Sequence, residues 1–434
     1  MSAPIRHRTG IFGLLAPGLL VAATGVGAGD LLTASLAGSR LGLALLWAAA
    51  VGAVLKWFLN EGIARWQLAT GTTLLEGWVD RFGAWLRWLF LLYFLPWTLF
   101  TGGALISACG VAGTGFLPLG SDLETSKIVW GVAHSVVGAL IVWRGGFRVF
   151  EWVMGVLVGV MVVSVLATAV LLGPDWSEVL RGLVVPGIPT GGTGYTLGVL
   201  GGVGGTVTIL SYGYWIREKG RTGPDAVRAC RIDLASAYAL TGFFGIAMIV
   251  IGSRVSLRQG PTAALELAGQ LALTLGPAGK WIFLAGFWAA VFTSVLGVWQ
   301  GVPYLFADLV RLSRRQVTPR PPSPERERGP GGEGSKNLTA TPAYRIYLVL
   351  IALVPIPLLW WSLERAQLAY TVFASLFMPF LAATLLVMNN RRAWVGESQR
   401  SGWVTNVALG ATLAFFTYAG AREAVGALSR LTGP

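Results

Sequence analysis

One carboxylate is marked by its surroundings. Asp30 closes the run Thr24-Gly25-Val26-Gly27-Ala28-Gly29-Asp30, and apolar residues flank that run on both sides. A charge at the centre of a bilayer costs at least about 2.5 to 3.5 kcal/mol on insertion scales. An acid placed there reads as a cation ligand or a proton carrier. It also reads as a carboxylate near one membrane face, capping the helical half that begins at Leu31. The two readings are compatible.

A second glycine cluster, Gly201-Gly202-Val203-Gly204-Gly205-Thr206-Val207-Thr208-Ile209-Leu210-Ser211-Tyr212-Gly213, interrupts another apolar stretch. Each glycine inside a helix costs up to about 1 kcal/mol relative to alanine. Gly25 and Gly29 in the first run, and Gly204 and Gly205 in the second, therefore predict unwound segments in mid-span. Unwound backbone survives at membrane depth only when buried in protein or lining a cavity. The competing reading is that these glycines serve close helix packing.

The elements that must position these groups follow from composition. Of 434 residues, 12% are charged and 54% hydrophobic. A soluble domain carries about 25% charged residues, so this is an all-α polytopic membrane protein and soluble enzymes are excluded. Eleven stretches are long enough to cross a bilayer: 11–37, 42–66, 85–111, 128–143, 150–172, 194–216, 232–252, 281–309, 344–361, 367–388 and 403–421. The first is read as an uncleaved span, because it is long and ten more follow. Residues 261–276 read as a lying or re-entrant helix.

The glycine-broken stretches are the first and the sixth. They hold matching places in two five-span halves, about 11–172 and 194–388, with an extra span at about 403–421. Interrupted spans at matching positions of two halves point to a secondary-transporter site, and an odd number of spans per half makes the repeats inverted.

The net charge of +13 would suggest nucleic acid for a soluble protein, but here it reports orientation. With the N-terminus in the cytoplasm, inner loops hold 23 Lys and Arg, outer ones 9, and Lys56 lies within the second span. That asymmetry predicts a cytoplasmic N-terminus and an outer C-terminus, and the membrane expected is the inner one of a bacterium. Residues 316–342, rich in Pro, Gly, Glu and Arg, read as a disordered cytoplasmic linker. The partners expected are the lipid bilayer and a small ion or solute, with no nucleic acid. Cys109 and Cys230 have no metal-ligand spacing, no nucleotide-binding loop is present, and no cofactor is expected.

Three further residues are candidates for a proton pathway: His134 in the fourth span, Glu61 in the second and Gln300 in the eighth. His134 also reads as a buried structural histidine. Lys56 and Glu61 read equally as an internal pair, a snorkelling lysine or a relay. Trp85, Trp88, Trp143, Trp281, Trp360 and Trp361 fall near span ends, as an aromatic belt does.

The sequence resembles a known family. Ala16-Pro17-Gly18-Leu19-Leu20-Val21-Ala22-Ala23, the Gly27-Ala28-Gly29-Asp30 break, Leu36-Ala37-Gly38-Ser39, Leu45-Leu46-Trp47 and Thr70-Gly71 look like the first spans of the Nramp divalent-metal transporters. Ser375-Leu376-Phe377-Met378-Pro379-Phe380, Leu385-Leu386 and Asn390 resemble that family's tenth helix. The resemblance implies the LeuT-like fold, a 5+5 inverted repeat with broken spans 1 and 6 plus an eleventh span.

The departures bear on chemistry. The family motif Asp-Pro-Gly-Asn supplies metal ligands from its Asp and Asn, whose places fall on Gly27 and Asp30 here. The family's sixth-span Met ligand, followed by Pro and His, falls on Ile209, Leu210 and Ser211, and the matching backbone carbonyl falls on Thr206. The tenth-span Gln falls on Phe377. What remains is an all-oxygen site: Asp30, the Gly27 and Thr206 carbonyls, and the hydroxyls of Thr24, Thr208 or Ser211. Loss of the thioether favours a harder cation such as Mn²⁺ or Mg²⁺ over iron.

The expectation is therefore a secondary transporter of a divalent cation, proton-coupled, working by alternating access, with Asp30 as its metal ligand. The alternatives are an organic-solute symporter of the same fold and a non-transporting sensor or scaffold. A cavity filled around Phe377 and Ile209 would favour the scaffold, and an open polar cavity at Asp30 would favour transport.

Overall fold

The computed structural model describes residues 11–120, 122–202, 204–257, 263–314 and 338–432, and among them every regular element is helical. The first apolar stretch forms two helices, α1 (Ile11–Gly25) and α2 (Ala28–Leu41), with Val26 and Gly27 unwound between them. Gly29 lies inside α2 rather than in the break. The helical ladder already starts with the Leu31 amide on the Gly27 carbonyl at 3.1 Å, so a first-turn glycine need not unwind it.

The chain continues through α3 (Leu46–Thr70), the short α4 (Leu74–Phe82) and α5 (Trp85–Phe116). Gly71 ends α3 with φ +72°, a left-handed cap that glycine adopts without steric cost. Thr73 starts α4 with a capping box: its hydroxyl accepts the Glu76 amide while the Glu76 carboxylate accepts the Thr73 amide. Next come α6 (Leu123–Leu171) and α7 (Trp176–Val184), and α6 is two helices joined at Gly146, whose φ is +62°.

The second break separates α8 (Thr193–Gly202) from α9 (Ser211–Glu218). Between them, Gly204 (φ +90°) and Gly205 (φ +77°) lead into a 3-10 turn over Val207–Leu210. The remaining helices are α10 (Val227–Ser253), α11 (Ala263–Arg314), α12 (Pro342–Leu353), α13 (Leu363–Met388), α14 (Arg392–Val395) and α15 (Trp403–Thr432). α11 bends at Gly276, whose φ is +74°. The segment before that bend, described from Ala263, is helical, with Leu267 and Leu271 buried and Leu273 exposed.

Six stretches among the described residues are long and apolar enough to cross a membrane. Exposed Trp85, Trp88, Trp143, Trp281 and Trp360 stand at or near helix ends, as an interfacial belt requires. The expected linker 316–342 ends sooner than its composition suggests. Buried Leu338 anchors a 3-10 turn and the Thr341 hydroxyl caps α12, because one apolar side chain and one cap suffice to fix that end. Residues 316–337 lie outside the described residues.

Glycine allows the helices around the breaks to touch through their backbones. A Cβ on Gly38 would lie 2.1 Å from the Ile249 carbonyl oxygen, and one on Gly252 would lie 2.1 Å from that of Ser35, so α2 and α10 meet at backbone distance. Overpacking of this kind costs about 1–3 kcal/mol. Gly38→Ala is therefore expected to lower the melting temperature of the detergent-purified protein. Gly159→Ala, which meets open space on α6, should leave it unchanged or raise it through a helix-propensity gain of up to about 1 kcal/mol. Equal melting of both variants and the parent would rule out the tight α2–α10 contact.

Candidate functional site

The two breaks meet face to face. A Cβ on Gly25 would come within 2.6 Å of the Gly204 carbonyl carbon, and one on Gly205 would sit 3.2 Å from the Gly25 Cα. Only glycine permits this approach, and it brings the loose ends of four half-helices to one point. The unwound carbonyl of Val26 receives the Ser294 hydroxyl of α11 at 2.8 Å, which satisfies a group the helix no longer serves.

Beside this crossing lies a small pocket of about 30 Å³, room for a water molecule or two. Thr24, Gly25 and Gly27 line it from the first break, and Gly205 and Thr208 from the second. Trp97, Thr101, Ala104 and Leu105 of α5, Val298 of α11, and Gln367 and Tyr370 of α13 complete the wall. Among the described residues, no three His, Cys, Asp or Glu side chains gather as a metal cluster. The polar lining is hydroxyl, amide and backbone, all of it oxygen or nitrogen.

One lining hydroxyl and two at the second break have no partner among the described residues. Thr101 Oγ1, Thr206 Oγ1 and Ser211 Oγ are buried without a hydrogen-bond partner. Thr24 is engaged, donating to the Leu20 carbonyl at 2.6 Å, and its side chain rests on Gly297 of α11. Thr206 directs its carbonyl to the Ile209 amide at 3.2 Å and so opens the 3-10 turn. Ser211 packs on Gly301, and Ile209 is buried in the 3-10 turn. The backbone of Asp30 stands in the first turn of α2, while its side chain lies outside the described residues.

The three candidates for a proton pathway occupy three separate bonded groups. His134 accepts the Trp288 indole N–H on Nε2 at 2.8 Å, so its proton sits on Nδ1 and is donated to the Trp130 carbonyl at 2.7 Å. Glu61 is buried between Arg65 at 2.5 Å and Arg231 at 2.9 Å. Gln300 accepts the Trp215 indole N–H at 2.6 Å. Phe377 lies away from the pocket in an aromatic group with Trp78, Phe90, Tyr93 and Phe380. The pocket is thus neither filled by Phe377 nor lined by Ile209.

Some participants were not legible as such. Lys56 does not snorkel: it is fully buried, and its ammonium donates to the Gly205 carbonyl inside the second break. Thr101, Gln367 and Tyr370 reach the pocket from α5 and α13. The available signal was polar residues in apolar spans, namely Thr98 and Thr101 before Gly102-Gly103, and the lone Gln367.

Charged groups tie down the half-helices at the end where α1 begins and α9 finishes. Asp233 of α10 accepts the Gly18 amide of α1 at 2.8 Å, the Tyr212 hydroxyl of α9 at 3.0 Å and Arg221 at 2.7 Å. Asp308 of α11 accepts Thr73 at 2.8 Å and Tyr214 at 2.7 Å. Arg311 bridges Asp308 and Glu76, each at 2.5 Å, and Arg217 reaches Glu76 at 3.4 Å.

The comparisons with known proteins agree with this architecture. The chain superimposes on a mutant manganese transporter of Eremococcus coleocola with a TM-score of 0.75, at 18% identity, covering 100% of this chain and 90% of the other. It superimposes on MhsT, solved with L-phenylalanine, with a TM-score of 0.51 over 94% of this chain. The fold is the LeuT-like one, and the protein is an integral membrane protein. Residues 18–422 match the family described as natural resistance-associated macrophage protein-like, Nramp. The chain belongs to the Nramp family, a family of transporters rather than enzymes. Its relatives include the divalent metal cation transporter MntH of Verminephrobacter eiseniae, 27% identical over 86% of this chain and 87% of that protein. The MntH of Chromohalobacter salexigens is 23% identical over 92% of this chain and 87% of its own length.

Glu76 carries a pH signature. Burial raises its carboxyl, but Arg311, Arg217 and the Thr73 amide together outweigh burial and hold it below its ordinary value of 4.5. A depressed pKa contributes stability above the unfolded-state value, and that contribution is lost as pH falls through the folded one. Glu76→Gln is expected to melt below the parent at about pH 7, with the gap closing as pH drops below about 4.5. A gap of constant size across that range would show that the Glu76 charge does not hold α4 to α11.

Proposed function

We propose that this protein is a secondary transporter that moves a divalent metal cation through the pocket between its two helix breaks by alternating access. One observation carries the reading: both broken spans present unwound backbone and hydroxyls to a single pocket at their crossing. The relatives named divalent metal cation transporter support the class of cargo. In this reading Asp30 supplies the charge, the Gly27 and Thr206 carbonyls and the Thr24 and Thr208 hydroxyls supply neutral oxygens, and Ser211 stands behind them. An all-oxygen donor set suits Mn²⁺, Mg²⁺ or Ca²⁺ better than softer metals. The absence of Phe377 from the pocket wall supports transport over a scaffold role.

In the reading proposed here the protein sits in the inner membrane of a bacterium, N-terminus inside and C-terminus outside, in keeping with its basic loops. The bonded end of α1 and α9 is then the closed cytoplasmic side. Asp233, Asp308 and Glu76 fasten it, and these bonds must release when the carrier opens inward. Protons are the coupling ion of this reading, with Glu61, His134 and Gln300 as the residues to be tested for their passage.

Reconstituted protein is expected to take up Mn²⁺ or Mg²⁺ into proteoliposomes, with uptake by Asp30→Ala reduced by about ten-fold or more, equivalent to ~1.4 kcal/mol. Normal uptake by Asp30→Ala, or uptake of amino acids but no metal, would defeat this reading. Thr101→Val should separate binding from stability. It removes a buried hydroxyl that makes no hydrogen bond, so melting should not fall below the parent's while half-saturating metal rises. Unchanged half-saturation would take Thr101 out of the cargo path.

A further inference from the structure

Lys56 is the one lysine placed by the sequence in the middle of a span, and its destination is specific. α3 approaches the broken sixth span closely enough that a Cβ on Gly52 would lie 2.9 Å from the Leu200 carbonyl oxygen. One helical turn further along, Lys56 is wholly buried, and its ammonium meets the Gly205 carbonyl. Gly204 beside it is covered by the Tyr238 ring, and Asn60 on the next turn of α3 donates to the Tyr238 hydroxyl at 3.2 Å. The lysine stem is thereby held between α3, α10 and the break. Gly205 also lines the pocket.

The position has electrostatic meaning. α8 ends at Gly202, so its unsatisfied carbonyls and the negative end of its dipole point into the break. In broken-helix carriers, such half-helix ends and unwound carbonyls are where coupling cations are coordinated. We propose that the Lys56 ammonium is a resident cation of the second break. It takes the place that a bound monovalent ion would fill, so the carrier completes its cycle without one. The chain carries its own ion on a four-carbon tether. This inference is independent of which cargo crosses the membrane.

The proposal predicts a new ion dependence when the tether is cut. Purified parent, Lys56→Ala and Lys56→Met are melted in detergent with sodium, ammonium or choline chloride at matched ionic strength. The parent is expected to melt alike in all three. Lys56→Ala is expected to gain a saturable rise on the order of 2 °C with sodium or ammonium, because a free cation now binds the folded state. Choline, too large for the vacated space, gives no such rise. Lys56→Met keeps the stem volume and should show the same dependence if the alanine variant is too unstable to purify. Folded variants that melt identically in the three salts overturn the proposal. Variants that remain unfolded in ammonium also overturn it, since a free cation then fails to replace the tethered one. The melting readout needs no transport, so a failure here is distinguishable from a failure to carry metal.

Discussion

The structure depends on one steric permission: the crossing of two broken helices at Gly25 and Gly204–Gly205, where a Cβ on Gly25 would collide with the Gly204 backbone and one on Gly204 or Gly205 with the Tyr238 ring or the Thr208 hydroxyl. Two helices separated by side chains could not bring four half-helix ends to one point. They would leave unwound carbonyls facing lipid, which is not tolerated at membrane depth. Glycine lets the breaks cover one another, and the neighbouring helices then serve the exposed groups. Ser294 takes the Val26 carbonyl and Lys56 takes that of Gly205. The glycines that weaken the spans therefore also create the site.

The helix α3 acts as the rail for the sixth span. Gly52 abuts Leu200, Lys56 meets Gly205, and Gln67 donates to the Gly213 carbonyl at 2.5 Å. The three contacts follow the span from α8 through the break into α9. The lower half-helices are then fastened at Asp233 and Asp308 by side chains from several elements. Rigid support along one side and ion pairs at one end suit a carrier whose half-helices must move as units. Hydrogen-bonded charges can exchange partners as water enters, whereas an interlocked apolar core cannot.

Much of this was legible in the residues because the relevant signals are local. Clustered glycines inside apolar runs announced both breaks, and hydropathy set most helices to within a few residues, such as 85–111 against Trp85–Phe116 and 232–252 against Val227–Ser253. The glycine at 29 was misplaced because composition cannot tell a first-turn glycine from an unwound one. The wall of the pocket was not legible, for a different reason. Whether Gln367 or Phe377 faces the breaks depends on how α13 is rotated, and an apolar span gives little rotational signal. Lys56 posed the same problem, since only packing decides whether a lysine stem runs inward or toward an interface. His134 shows the converse: its role as a doubly bonded imidazole required knowing that Trp288 faces it.

Charge at the crossing also separates this chain from the pattern it resembles. In the resemblance drawn from the sequence, the motif's carboxylate falls on Gly27 and its amide on Asp30, so one carboxylate is kept at a shifted place, and here a buried ammonium stands one residue from Thr206. The carboxylate count is unchanged, and the added ammonium is what makes the site less negative. In the reading proposed above, a divalent ion would meet one carboxylate and neutral oxygens with a fixed cation close by, and would be held loosely. For a store that would be a defect, but a carrier must let go of its cargo as readily as it takes it. The lost thioether acts in the same direction, because hydroxyls and carbonyls do not discriminate strongly among hard cations. On this argument the altered motifs do not abolish the site. They trade affinity for exchange, and the helix-break geometry, which glycine alone secures, is what remains in common.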